Sequence, residues 1–134
     1  MEAAVVITVF LTLLIGVFWL ARGYNVAETI TRAAREGARF AVTPNCATCG
    51  NTYPTDAEVQ SVINASLLAS SVDPAQVQPN PITIQRGVVL NPGETPLERG
   101  VVIGFNYPFQ FQIPFTSLNM TTILLSTSVQ MREE

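Results

Sequence analysis

Cys46 and Cys49, set three apart in "CATC", are the only thiols in 134 residues, and the chain has no histidine. Three chemistries use such a spacing. A structural zinc site needs four Cys or His ligands, and the remaining two are missing. A thioredoxin-type redox pair wants a βαβ setting and a helix behind it, whereas "GNTYP" follows here. The expected reading is therefore the third, a short structural disulfide in an oxidising compartment. A loop this short constrains little of the unfolded chain, so the crosslink would stiffen its own segment rather than hold the fold. Without histidine, Ser-His-Asp and Cys-His catalysis are excluded, and no glycine-rich phosphate loop follows a strand. The carboxylate pairs Asp56 with Glu58 and Glu94 with Glu98 fall at helix-start and loop positions. They lack the apolar surroundings that would shift a pKa and are expected to be solvated. No enzyme, metal or cofactor is expected. Asn64-Ala-Ser and Asn119-Met-Thr match the glycosylation acceptor spacing, a short motif that also arises by chance.

The elements that position these residues begin with a membrane-length segment. Residues 3–21, "AAVVITVFLTLLIGVFWLA", carry no charge, which meets the ~20-residue requirement for a transmembrane helix. A secretory signal peptide would carry a positive n-region before a shorter apolar core, but here Glu2 precedes the run and no basic residue does. Arg22, Arg32, Arg35 and Arg39 all lie after it. The positive-inside rule would thus put the C-terminus in the cytoplasm, against the oxidising compartment that the cysteines favour. A basic leader upstream of Met1, removed later, would resolve the conflict. The net charge is −3, with seven arginines and no lysine. Phosphate neutralisation needs clustered positive charge, and the one arginine cluster is interleaved with Glu28 and Glu36, which argues against nucleic acid.

Helical character continues through residues 22–42, "RGYNVAETITRAAREGARFAV", until Pro44. Alanine and arginine are strong helix formers, and Glu28 with Arg32 is an i,i+4 pair in the favourable order. One helix of about 40 residues would be ~60 Å long. Small residues recur along it every 11 positions: Thr12, Gly23, Ala34, and Gly16, Ala27, Ala38. Members of the two series stand four apart, the arrangement that lets helix backbones approach closely, and an 11-residue period drifts slowly around a helix. The same spacings also arise by chance in alanine-rich helices. Residues 43–54 read as a loop. Thr55 with Glu58 makes a capping box ahead of Val59, Val62, Ile63 and Leu67 at amphipathic spacing, a helix expected to end near Ser70. Period-2 alternation marks strands at residues 81–85, 101–109 and 123–131, with a turn at residues 91–94. The fold class is α+β. Residues 1–43 form one long helix, apolar over residues 1–21 and amphipathic over residues 22–43. Residues 44–134 form a small head, with a second helix packed on a roughly three-stranded antiparallel sheet.

An acid before a long apolar run, followed by "ARGYNVAETITRAAREGARFA", resembles the TadE-like pilin proteins of bacterial tight-adherence systems. The most specific stretch is "AAREGAR" before Phe40 and Ala41. The tail, "VVIGFNYPF" and then "TTILLSTSVQMREE", is similar too, whereas residues 43–80 carry no resemblance. The resemblance implies a type IV pilin-like fold and a leader cleaved by a prepilin peptidase at the cytoplasmic face. The head would then lie outside the cytoplasm, in the inner membrane at first and later in an extracellular filament. It further implies partners: further copies in a helical filament, other pilin-like subunits and the assembly machinery. In pilins generally the acid is often the fifth mature residue, and here it is Glu2.

Against that background Glu2 has two readings. One is an acid complementing the helix dipole. The other, favoured by the resemblance, is pairing in the filament core with the α-amino group of Met1 on a neighbour, because an unpaired buried carboxylate is costly. Glu28, Arg32, Arg35, Glu36 and Arg39 form either a solvated face or a set of inter-helix charge pairs. Surface pairs contribute only ~0–1 kcal/mol each, so the small residues would supply packing and the charges register. Three functions are open: a polymerising pilin, a minor pseudopilin that primes or tips a pilus, or a monomeric membrane-anchored extracytoplasmic module.

Overall fold

The computed structural model describes residues 2–44, 52–93, 95–110 and 122–133. Met1, the Glu2 side chain, Cys46, Cys49, Glu94 and Asn119 lie outside the described residues. The first helix, α1 (Glu2–Val42), is unbroken over 41 residues, with strong helix formers concentrated in its second half and a membrane-length apolar run in its first. It closes where Thr43 donates its N–H to the Phe40 carbonyl and its hydroxyl to the Arg39 carbonyl, one residue before Pro44. The second helix, α2 (Asp56–Ala69), opens on Thr55 with both halves of the capping box in place. Thr55 Oγ1 accepts from the Glu58 N–H at 3.4 Å. In return the Thr55 N–H and hydroxyl donate to Glu58 Oε2 at 2.7 and 2.9 Å. The two bonds to its oxygen, the backbone one first, hold the Glu58 carboxyl below its ordinary range. A short 3-10 turn at Pro74–Gln76 leads into the sheet.

Three antiparallel strands, β1 (Gln78–Val89), β2 (Arg99–Phe109) and β3 (Ile123–Arg132), lie in the order β1-β2-β3. β1 is longer than the five residues its alternation suggests. Val101, Ile103, Phe105 and Phe109 of β2 point inward with Thr127 of β3, while Thr83, Gln85, Ser126, Ser128 and Gln130 face out. Both helices cover the inner face. α1 lies against β2 and β3, and α2 touches β1.

One stripe of α1 makes this possible. Ile30, Ala33, Ala34, Gly37, Ala38 and Ala41 follow i, i+3, i+4, i+7 spacing and are all buried in the head. Arg32, Arg35, Glu36 and Arg39 lie on the exposed face. Small side chains let α2 and the sheet come close, and Gly37 marks the tightest point. A Cβ there would overlap the Ile63 side chain of α2 and stand 3.6 Å from Ile103 Cδ1 of β2.

The Gly37→Ala variant should therefore lose about 1–3 kcal/mol by overpacking, read by urea unfolding of the solubilised chain. Combined with Ile63→Ala its cost should fall well below the sum of the two, because the overlapping atoms are gone. Additive losses would place the strain elsewhere. The depressed Glu58 pKa predicts a stability increment present above the ordinary glutamate range and lost as pH falls through the lower folded value. Acid unfolding of Glu58→Gln followed by circular dichroism should lack that component.

Candidate functional site

The apolar half of α1 is an extended apolar surface. Val5, Val6, Ile7, Val9, Phe10, Leu11, Leu13, Leu14, Val17, Phe18 and Leu20 are each about half exposed or more. Only 6% of its most apolar 18-residue window is covered by the rest of the chain. A helix from a soluble core would be mostly buried, and exposed apolar patches on soluble monomers rarely exceed a few hundred Å². This helix is long and apolar enough to cross a membrane. Its two hydroxyls suit that setting: Thr8 donates to the Ala4 carbonyl at 2.8 Å and Thr12 to the Thr8 carbonyl at 2.9 Å. Neither is left unsatisfied in hydrocarbon.

The small-residue stripe divides into segments with different neighbours. Thr12 and Gly16 are exposed, and nothing lies within 4 Å of a Cβ added at Gly16. A Cβ at Gly23 would sit 3.6 Å from the ring of Phe109. Ala27 is half-buried, and Ala34 and Ala38 are completely covered by the head of the same chain. In this fold the C-terminal end of the stripe thus carries the protein's own head.

Glu28, Arg32, Arg35, Glu36 and Arg39 share the exposed side of α1. Among the described residues they form no ion pair, so the Glu28–Arg32 pair suggested by spacing is not made. Glu36 accepts a hydrogen bond from Ser66 of α2 at 3.0 Å. Tyr24, Ala27, Glu28, Thr31, Arg32 and Arg35 line an open cleft along this face. Asn64 is half-buried midway along α2.

Two arrangements are not legible in the sequence. Trp19 meets Phe109 edge-on with ring centroids 6.4 Å apart, and the Arg22 guanidinium lies 5.5 Å from the Trp19 ring. This cluster ties the end of β2 to the end of the apolar run. The nearby Tyr107 phenol is pushed above its ordinary range, chiefly by burial. At the other end, Arg86 donates to Asp56 Oδ1 at 2.8 Å, to the Pro54 carbonyl at 2.7 Å and to the Ala41 carbonyl at 3.4 Å. One guanidinium joins the end of α1, the start of α2 and β1. A register irregularity between Gln85 and Val88, where Gly87 has φ +65°, places Arg86 there, since bulges re-aim side chains. Asp56 and Glu98 pair with Arg86 and Arg132 at 2.8 and 2.7 Å, and Asp56 remains largely exposed to solvent, as its helix-start position suggests.

The family model described as TadE-like protein matches residues 1–39. The match covers the acid, the apolar run and "AAREGAR", and does not extend to the tail similarity, which here forms β2 and β3. No curated protein and no solved structure gave a match.

Arg86→Met should destabilise the head by about 2 kcal/mol, since hydrogen bonds to a charged group are lost and two carbonyls go unpaired. Arg86→Lys should recover less than half of that, because a compact ammonium cannot reproduce the planar fork. Full recovery by lysine in urea unfolding would reduce the contact to charge alone.

Proposed function

We propose that this chain is a structural, pilin-like subunit of a tight-adherence-type pilus. Its N-terminal helix first anchors it in the bacterial inner membrane and later packs against copies of itself or related subunits in an extracellular filament. The observation that carries this reading is the contrast within α1. Its first half is apolar and uncovered, whereas its second half is already occupied by the head. A surface of that kind must be covered by lipid or by other helices. The family match over the same helix supports a pilus-associated, non-enzymatic role.

In this reading the inter-subunit seam is the N-terminal end of the small-residue stripe, Thr12 and Gly16, because Ala34 and Ala38 are already used. Glu2 and the Met1 amino group of a neighbour would set register, as an isolated carboxylate is costly among apolar helices. The exposed Glu28, Arg32, Arg35, Glu36 and Arg39 would pair with neighbours further along the helix. A minor subunit that primes or tips the pilus has the same contacts in smaller number.

Gly16→Leu provides the test, since the head does not touch Gly16. The variant should leave the unfolding midpoint unchanged and reduce the chain recovered from mechanically sheared, detergent-free supernatants at least tenfold, quantified by mass spectrometry. Wild-type recovery near that of the dominant filament protein marks a major subunit, and trace recovery a minor one. Recovery only from detergent-solubilised membranes would overturn the filament reading in favour of an anchored module.

A further inference from the structure

The head and the membrane helix are fixed in height relative to each other. β2 runs antiparallel to α1: Ile103 lies beside Gly37, and Phe109 beside Gly23. The 14 residues between the two glycines rise ~21 Å, and the six residues of β2 rise ~20 Å. The strand therefore descends alongside the helix, and Phe109 stands level with the end of the apolar run. Trp19, which Phe109 meets edge-on, is two residues before that end, or ~3 Å along the axis.

The partner strand brings two more apolar side chains to this level. Phe109 pairs with Ile123 and Pro108 with Leu124 in the β2–β3 register. Ile123 is 46% and Leu124 58% exposed, although both begin a strand whose next inward position, Leu125, packs on the core. An amphipathic indole and an arginine are side chains that settle at a membrane–water boundary. Trp19, with the Arg22 guanidinium over its ring, provides such a pair at the height where the span ends.

We infer that the exposed end of the head at Ile123 and Leu124, level with the buried Phe109, beds into the interfacial layer of the bilayer that α1 crosses. This rests on the membrane-anchoring component of the proposed function and is independent of filament formation. An interfacial layer receives apolar side chains over ~5–10 Å of depth, which covers the first residues of β3. The occupant of this apolar edge is lipid, because the edge is continuous with the span and level with its boundary. The head thus stands on the membrane through a second contact besides its anchor.

Trp19 is the only tryptophan, so depth can be read by fluorescence of the full chain in phosphatidylcholine vesicles brominated high on the acyl chains. Trp19 reports insertion of the span. In a Trp19→Phe background, Leu124→Trp reports the edge of the head, with Ile123→Trp as a second probe on the opposite sheet face. Val89→Trp is the remote control, because Val89 pairs with Arg99, about 33 Å along β2 from Phe109. Trp19, Leu124→Trp and Ile123→Trp should each lose roughly half of their emission, and Val89→Trp less than about a tenth, as interfacial placement requires. Quenching of Trp19 with both edge probes unquenched would overturn the inference and leave the anchor standing. A blue-shifted but unquenched edge probe would do the same, by placing a second copy there instead of lipid. An unquenched Trp19 would overturn the anchoring reading and the inference together.

Discussion

The close approach along one face of α1 is the constraint on which the rest of the head depends. Beyond Ile30, the positions Ala33, Ala34, Gly37, Ala38 and Ala41 present almost no side-chain bulk over more than two turns. A second helix and a sheet can then share a single helix face without leaving a void. Larger residues would force α2 away from β2, and Ile63 could not reach between α1 and the sheet as it does beside Gly37. A head of this size has few core residues to spare, so it borrows a face of the long helix as its central element. The membrane half of α1 and the head are for that reason one mechanical body.

That borrowed face needs fastening at both ends, and the two fastenings differ in chemistry because their surroundings differ. At the far end Arg86 gathers the carbonyls of Ala41 and Pro54 and the carboxylate of Asp56, in water-accessible surroundings where charge-assisted bonds are available. The last carbonyls of a helix lack intrahelical partners, and an arginine supplied from β1 satisfies one of them. At the near end ring packing of Trp19 on Phe109 joins helix to strand, with Arg22 over the indole. Apolar contacts of this kind keep their geometry whether the neighbour is lipid or protein.

Features that depend on local spacing are legible in the sequence. The capping box at Thr55 and Glu58, the stop at Pro44 and the period-2 runs of β2 and β3 each signal themselves within a few residues, and the chain adopts them. The contacts that tie elements together are not. Arg86 continues the inward parity of Ile82 and Ile84, so a charge at a core-facing position is its signal, but its three acceptors lie at least 30 residues away. The small-residue stripe reads in the sequence as one seam for other subunits. Small residues announce close approach without saying what approaches, and from Gly23 onward the partner proves to be the protein's own head. Phe109 opposite Gly23 follows only once β2 is known to descend along α1.

Because the head is packed along α1 from about Gly23 to Ala41, the transfer from membrane to filament that we propose would have little internal freedom to use. The stability of the core opposes any swing of the head about the helix, since such a swing would expose the alanine face and the inner side of β2. The subunit should accordingly move as a rigid body. In the proposed transfer the neighbour of residues 3–18 would change from acyl chains to the helices of other subunits, together with the neighbour of the exposed apolar edge at Ile123 and Leu124. Neither surface meets the charged face of Arg32, Arg35 and Arg39, which stays hydrated in the membrane-anchored state. The proposed assembly would therefore ask the same chain to offer an apolar seam and a charged seam on one continuous helix. The uninterrupted 41 residues of α1 meet that requirement, because a break between the two halves would uncouple the register set by one from the register set by the other.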